Sequence, residues 1–280
     1  MVADEPNPFY PEIEISQFKQ HVIHLAENYH VLPLEEVANR IKQGKSLHRC
    51  VAITFDDGFL NNYTLAYPLL KQLHLPATIF LITDCIETGQ PPWFIKFRYA
   101  FQTTRKEMIE VTCAGETLTL PLTTEENRLE SSNIMMQDLR TRENDARKEM
   151  LESLFHLLEV DDFTALDGMM LHWEQIREMS RHGISFGAHT ASHPVMSRIS
   201  LPEAEHEVRV SMEVIQSHLG QKVATFAYPF GRINHYRPEI AAILQKCGIT
   251  CAVTTEHAAS NHASSLYELG RSFPWELCGV

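Results

Sequence analysis

Residues 51–59 read VAITFDDGF, an apolar run rich in β-branched and aromatic side chains that ends on two adjacent carboxylates, Asp56 and Asp57, and a glycine. Such a run is the pattern of a buried strand, and Gly58 suits a tight turn behind it. Neighbouring side chains on a strand point to opposite faces, so inside a regular strand the two aspartates would diverge. At a strand-to-loop bend both can turn toward one site. Ligands of α/β sheets bind at the carboxyl ends of strands, which makes this strand end the first candidate functional position.

Outward from it, the pattern repeats. Residues 34–44, LEEVANRIKQG, form an amphipathic helix ended by glycine, and residues 16–29, SQFKQHVIHLAENY, an earlier helix that Ser16 can cap. After the aspartates come a helix from Asn61, a turn holding Pro76 and the apolar strand Thr78 to Ile82. Helix and strand then alternate through 173–190, 201–231 and 237–255, and LYELGRSF (266–273) makes a last short strand. Repeated β-α units in a chain of this length predict a parallel sheet, open or closed into a barrel. From about Glu87 to Asp167 the rhythm breaks. Residues 91–101 are PPWFIKFRYAF, residues 108–122 form an alternating pair hinged near Ala114-Gly115, and a charged helical run spans Glu125 to Leu158. This reads as a subdomain of 87–167 inserted into a single domain of 1–280, placed after a strand where it could wall the site. Its aromatics, Trp93, Phe94, Phe97, Tyr99 and Phe101, either stack on a sugar ring or pack the insert.

With 280 residues, 44% of them hydrophobic, the chain can bury a sizeable core. A formal charge of −12 without a Lys/Arg cluster argues against nucleic acid or an anionic membrane as partner. The cysteines at 50, 85, 113, 247, 251 and 278 form no Cys-x-x-Cys pair and read as reduced thiols. The acidic, proline-rich start MVADEPNPFYPEIEIS lacks the pattern of a secretory signal, and no apolar run has membrane-spanning length, so a cytoplasmic location is expected.

A second strand, Ile184-Ser185-Phe186, leads into GAHTASHP, residues 187–194. His189 and His193 stand four apart at this second strand end. Two neutral imidazoles and a carboxylate converging on one ion make a catalytic-type zinc set with an open position for water. Thr190 and Ser192 either orient these ligands or satisfy their own turn.

Together with FAYPFG at 226–231, TFDDGF and HTASHP resemble the polysaccharide deacetylases of carbohydrate esterase family 4, the NodB-homology domain, over about Ile15 to Phe273. The resemblance implies a distorted (β/α) barrel with the insert breaking it. It implies that Asp56 is the general base, that Asp57, His189 and His193 hold a divalent metal, usually Zn2+, and that the backbone N–H of Phe230 holds the oxyanion. Trp93 and Tyr228 are candidate substrate contacts. Ala227 occupies the position of the family's usual arginine, which orients the base, and Arg271 is the candidate substitute. The family's leucine-x-histidine, which supplies the general acid, has no counterpart near LGRSFPW. Either Asp56 returns the proton it takes or another group such as His235, His257 or His262 supplies one. The implied activity is removal of N-acetyl groups from an amino-sugar polysaccharide or saccharide precursor. The alternatives are an amidase acting on a small non-sugar amide and a catalytically silent glycan-binding barrel.

Overall fold

The computed structural model describes residues 1–10, 12–113 and 115–272. They form two compact units. The first comprises Met1–Pro6, Ile13–Gln90 and the chain from Gly168 onward; the second comprises Asn7–Glu12 and Pro91–Asp167.

The first unit is built on five parallel strands: β1 (Ile53–Phe55), β2 (Ala77–Leu81), β3 (Ile184–Ala188), β4 (Thr225–Ala227) and β5 (Cys251–Val253). Their spatial order equals their chain order. Each crossover therefore steps to the next neighbour in one direction, the winding of a barrel; a doubly wound sheet would reverse at a switch point. The fold is a distorted (β/α) barrel with a curled parallel sheet, as the family resemblance implies; the alternation of elements alone predicts the parallel sheet and leaves it open or closed. β2 is no more than 2% exposed at any residue, the continuous burial that accounts for its unbroken apolar sequence. Helices Leu201–Leu219 and Glu239–Cys247 make the next crossovers, the first opened by a capping box in which Ser200 Oγ accepts from Glu203 N (3.3 Å) and Ser200 N donates to Glu203 Oε2 (2.7 Å).

Three local expectations are corrected. The first helix begins at Ile15 behind Glu14, and Ser16 Oγ donates to Glu14 Oε1 at 2.7 Å, so Ser16 lies within the first turn and caps nothing. The run 50–55 changes partners midway: Cys50–Val51 pairs with His30–Val31, and Ile53–Phe55 with Ala77–Ile79. The last strand shrinks to a single parallel bridge, Val253 with Leu269, because the Arg271 N–H leaves the ladder for the Glu256 carbonyl at 3.0 Å. Phe273, the expected end of that strand, lies outside the described residues.

The second unit holds an antiparallel hairpin, Met108–Cys113 with Glu116–Pro121, and helices Trp93–Thr103, Glu125–Thr141 and Asn144–Leu158. The charged run is thus two helices broken at 142–143. Ile109, Val111 and Cys113 alternate inward from the hairpin onto a core of its own with Phe97, Phe101, Met135 and Leu154. Phe97 and Phe101 are fully buried there, and Trp93 and Phe94 pack against the same cluster. Among the described residues no helix is long and apolar enough to cross a membrane, and Cys50, Cys85, Cys113, Cys247 and Cys251 are free thiols.

Candidate active site

Asp56 and Asp57 follow β1, His189 follows β3, Phe230 lies in the loop after β4, and Thr254 and Thr255 follow β5. The candidate residues thus collect at one end of the sheet, the carboxyl end, where β/α barrels carry their chemistry. A cavity of about 340 Å³ lined by Lys71, His74, Pro76, His182 and Gly183 opens beside the other ends of β2 and β3 and contains none of them.

The turns at this end are strained. Among the described residues seven non-glycine positions have positive φ, and four belong to the three motifs: Asp57 (73°), Thr190 (68°), His193 (59°) and Phe230 (59°). Such backbone costs about 1–3 kcal/mol per residue and persists only where the surroundings over-determine it, typically at functional sites. Gly58 continues the reversal at φ 80°, and a Cβ there would stand 2.8 Å from Leu81 Cδ2. The loop is also held from the far side of the sequence: Leu60 N donates to Met169 O (2.7 Å) and Leu171 N to Gly58 O (2.9 Å).

The reversal delivers Asp57 Oδ1 to 3.4 Å from His189 Nε2 and 3.6 Å from His193 Nε2, and the two Nε2 atoms are 3.2 Å apart. Donors each about 2.1 Å from one ion at tetrahedral angles stand about 3.4 Å from one another, so this trio has the spacing of three corners of a tetrahedral metal site. The imidazoles are 2% and 3% exposed. His189 Nδ1–H donates to the Ala227 carbonyl at 2.7 Å, which fixes the ring and leaves Nε2 as the acceptor atom. Burial pushes the His189 pKa down, but hydrogen bonding to Asp57, the charges of Asp56 and Asp57 and the Ala227 carbonyl together hold it above the ordinary value. The pocket therefore favours positive charge at this point. Among the described residues this is the one group of three or more His, Cys, Asp or Glu side chains spaced to hold a metal ion.

Asp56 stands apart from that trio. Arg271 grips it through two hydrogen bonds, Nη1 to Oδ1 at 2.8 Å and Nη2 to Oδ2 at 2.7 Å, while Arg271 Nε donates to the Thr254 carbonyl at 2.7 Å. Burial alone would raise the Asp56 carboxyl. The Arg271 charge and its hydrogen bonds outweigh burial and hold it below the usual carboxylate range.

The Phe230 ring meets the His193 ring edge-on at 4.8 Å and the His235 ring at 5.6 Å. Its peptide is fixed by Thr255, whose Oγ1 donates to Phe230 O at 2.7 Å and whose N–H donates to Gly231 O at 2.9 Å. His235 is 8% exposed beside Phe230, whereas His257 and His262 lie exposed in the loop after β5. Tyr228 is corrected from substrate contact to core residue: it is 1% exposed and stacks on Tyr236 at 4.2 Å, because the strand leaves its ring pointing inward. Trp93 is half-buried on the core of the second unit, with the Arg147 guanidinium 4.3 Å above its ring. Thr190 Oγ1 accepts from His193 N at 3.0 Å and donates to His189 O, and Ser192 Oγ donates to Glu207 Oε1 at 2.7 Å. Both hydroxyls therefore close the turn and leave the imidazoles to other partners. Glu207 has no signal in the sequence, because it is one of several acids on a solvent-facing helix and nothing in its spacing marks it.

Three relatives and neighbours share this fold or parts of this sequence. “Putative polysaccharide deacetylase YxkH” of Bacillus subtilis is 25% identical over 257 residues, covering 91% of this chain; the chain spans 63% of that protein's length. The poly-β-1,6-N-acetyl-D-glucosamine N-deacetylase of Staphylococcus epidermidis is 41% identical over 71 residues, 25% of each chain. The Streptococcus pyogenes deacetylase PplD, solved in complex with acetate, superposes with a TM-score of 0.64 at 20% identity, covering 96% of this chain and 87% of that one. The sequence profile described as polysaccharide deacetylase matches residues 43–252, and the chain belongs to that family.

Proposed function

We propose that this chain is a metal-dependent hydrolase that removes N-acetyl groups from an amino-sugar polysaccharide or saccharide precursor, with residues 87–167 inserted in one catalytic domain. The observation that carries the reading is the different partners of two neighbouring carboxylates: Asp57 lies within 3.6 Å of both imidazoles, and Asp56 is bound by Arg271 through two hydrogen bonds. This difference supports a ligand role for Asp57 and a proton-transfer role for Asp56. The fragmentary likeness to a poly-β-1,6-N-acetyl-D-glucosamine N-deacetylase favours a hexosamine as the acyl bearer.

Asp57, His189 and His193 would hold the ion, and their nitrogen and carboxylate donors suit Zn2+. A divalent ion there supplies Lewis-acid polarisation and makes water a better nucleophile near neutral pH. Asp56 takes the proton of the attacking water as its oxygen bonds to the acyl carbon. The Phe230 N–H donates to the oxygen on which negative charge develops, which is why Phe can replace Tyr there: the donor is main chain. As the carbon–nitrogen bond breaks, the leaving amine needs one proton, and Asp56 holds the one it removed. Arg271 keeps the carboxylate aimed through the cycle.

Amine release from N-acetylglucosamine oligomers is the test. The wild type should release amine, lose that activity with chelator and regain it with zinc, and the purified protein should carry about one divalent ion per chain. His193→Ala should carry almost none. Equal metal in both proteins would refute the ligand assignment, and loaded protein that releases no amine from any N-acetylated sugar would refute the reaction. Trp93→Ala should lower stability by about 2 kcal/mol, less than the loss of a fully buried tryptophan. A melting temperature that does not move would show that its packing contributes little.

A further inference from the structure

Two of the three proposed ligands sit on one five-residue turn, 189–193, whose Thr190 and His193 both have left-handed backbone. Neither residue favours that conformation, so something outside the turn must hold it. One face is fastened to the sheet and the helix behind it: His189 N donates to Leu81 O at 3.0 Å and Asp84 N to Ala191 O at 3.0 Å. The other face ends on a single side chain. Glu207, on helix Leu201–Leu219, accepts Ala191 N at 2.8 Å and Ser192 N at 2.9 Å on Oε2, and Ser192 Oγ at 2.7 Å on Oε1. These three donors lie between the two imidazoles in the chain.

We propose that Glu207 is the positioning residue of the metal site: its carboxylate clamps the 189–193 turn and thereby sets the distance between His189 and His193. The inference rests on the proposed reading of Asp57, His189 and His193 as the ligand set. Both carboxylate oxygens act only as acceptors, which suits a turn that presents two N–H groups and a hydroxyl. Methionine at this position keeps the length of the side chain but offers no oxygen acceptor, so all three bonds are lost, whereas glutamine can still accept both N–H groups on its amide oxygen and donate its NH2 to Ser192 Oγ. Groups that orient metal ligands from behind typically change affinity by about 10–100-fold when removed.

The measurement is zinc affinity by competition with a chromogenic chelator, together with thermal melting of the metal-free protein. Glu207→Met should raise the zinc dissociation constant by about 10–100-fold, and Glu207→Gln, which can keep the three contacts, should bind zinc more nearly as the wild type does. Ser200→Ala is the control: it removes the cap of the same helix, and should lower melting without altering zinc affinity. Unchanged zinc affinity in Glu207→Met overturns the proposal. Equal weakening by Ser200→Ala overturns it as well, since the integrity of the helix would then carry the effect. Wild-type protein that binds no zinc would instead refute the underlying ligand assignment, an outcome that the wild-type titration alone reveals.

Discussion

Asp56→Asn is expected to lower kcat for deacetylation by about 10²–10⁴-fold while the protein retains about one metal ion per chain. The substitution is nearly isosteric. The amide oxygen can still accept one hydrogen bond from Arg271, so the pocket keeps its shape, but the side chain can no longer take a proton. Asp57→Asn should behave differently. Its Oδ1 lies 3.4 and 3.6 Å from the two imidazole Nε2 atoms, and a neutral amide oxygen is a weaker ligand, so metal content should fall first and activity with it. Restoring activity with excess zinc is therefore expected for Asp57→Asn alone. Loss of metal to the same extent in both variants would end the division of labour between the two aspartates.

The parallel sheet and its motifs are readable because periodicity and strand-end position carry them, and the barrel follows from the family resemblance. ISFGA before His189 is buried except at Ser185, VAITF before Asp56 lies half-buried on the edge strand of the sheet, and the residues directly behind both runs stand at the carboxyl end of the sheet. The family resemblance rests on those same strand ends. The features that local pattern does not show are set by long-range contacts. Tyr228 comes after a strand as the motif residues do, yet the direction of one side chain, decided by its stacking on Tyr236, puts it in the core. The Glu207 clamp joins positions 15 and 16 residues apart through a helix whose charged residues look alike in sequence. The return of residues 169–171 along the Gly58–Leu60 loop depends on where the chain re-enters after the second unit, which local pattern does not encode. Ser16 fails as a cap for a simpler reason: helix ends are uncertain by a residue or two from any local signal.

Replacing Arg271 by methionine tests whether an arginine from the end of the chain does the work of the one absent at position 227. The side chains of Arg271 and Asp56 are 19% and 27% exposed, so the pair is mostly but not wholly buried. Removing one partner of a fully buried pair costs about 3–5 kcal/mol; partial exposure brings the expectation here to about 2–3 kcal/mol at neutral pH. The sign with pH comes from the Asp56 carboxyl. In the wild type it is held below the usual range, so its contribution to stability is present above the unfolded-state pKa and is lost as pH falls through the lower folded value. Without Arg271, burial dominates and raises the carboxyl, so the stability gap between variant and wild type should narrow on acidification. The same shift moves the acidic limb of kcat/KM to higher pH, because a base that has taken a proton cannot take another. Arg271→Lys should fall between the two, since it restores a charge without the two parallel hydrogen bonds. Rate profiles and acid and neutral melting curves at equal zinc loading decide the matter: an unmoved acidic limb in Arg271→Met would show that Asp56 takes its orientation and its charge from elsewhere.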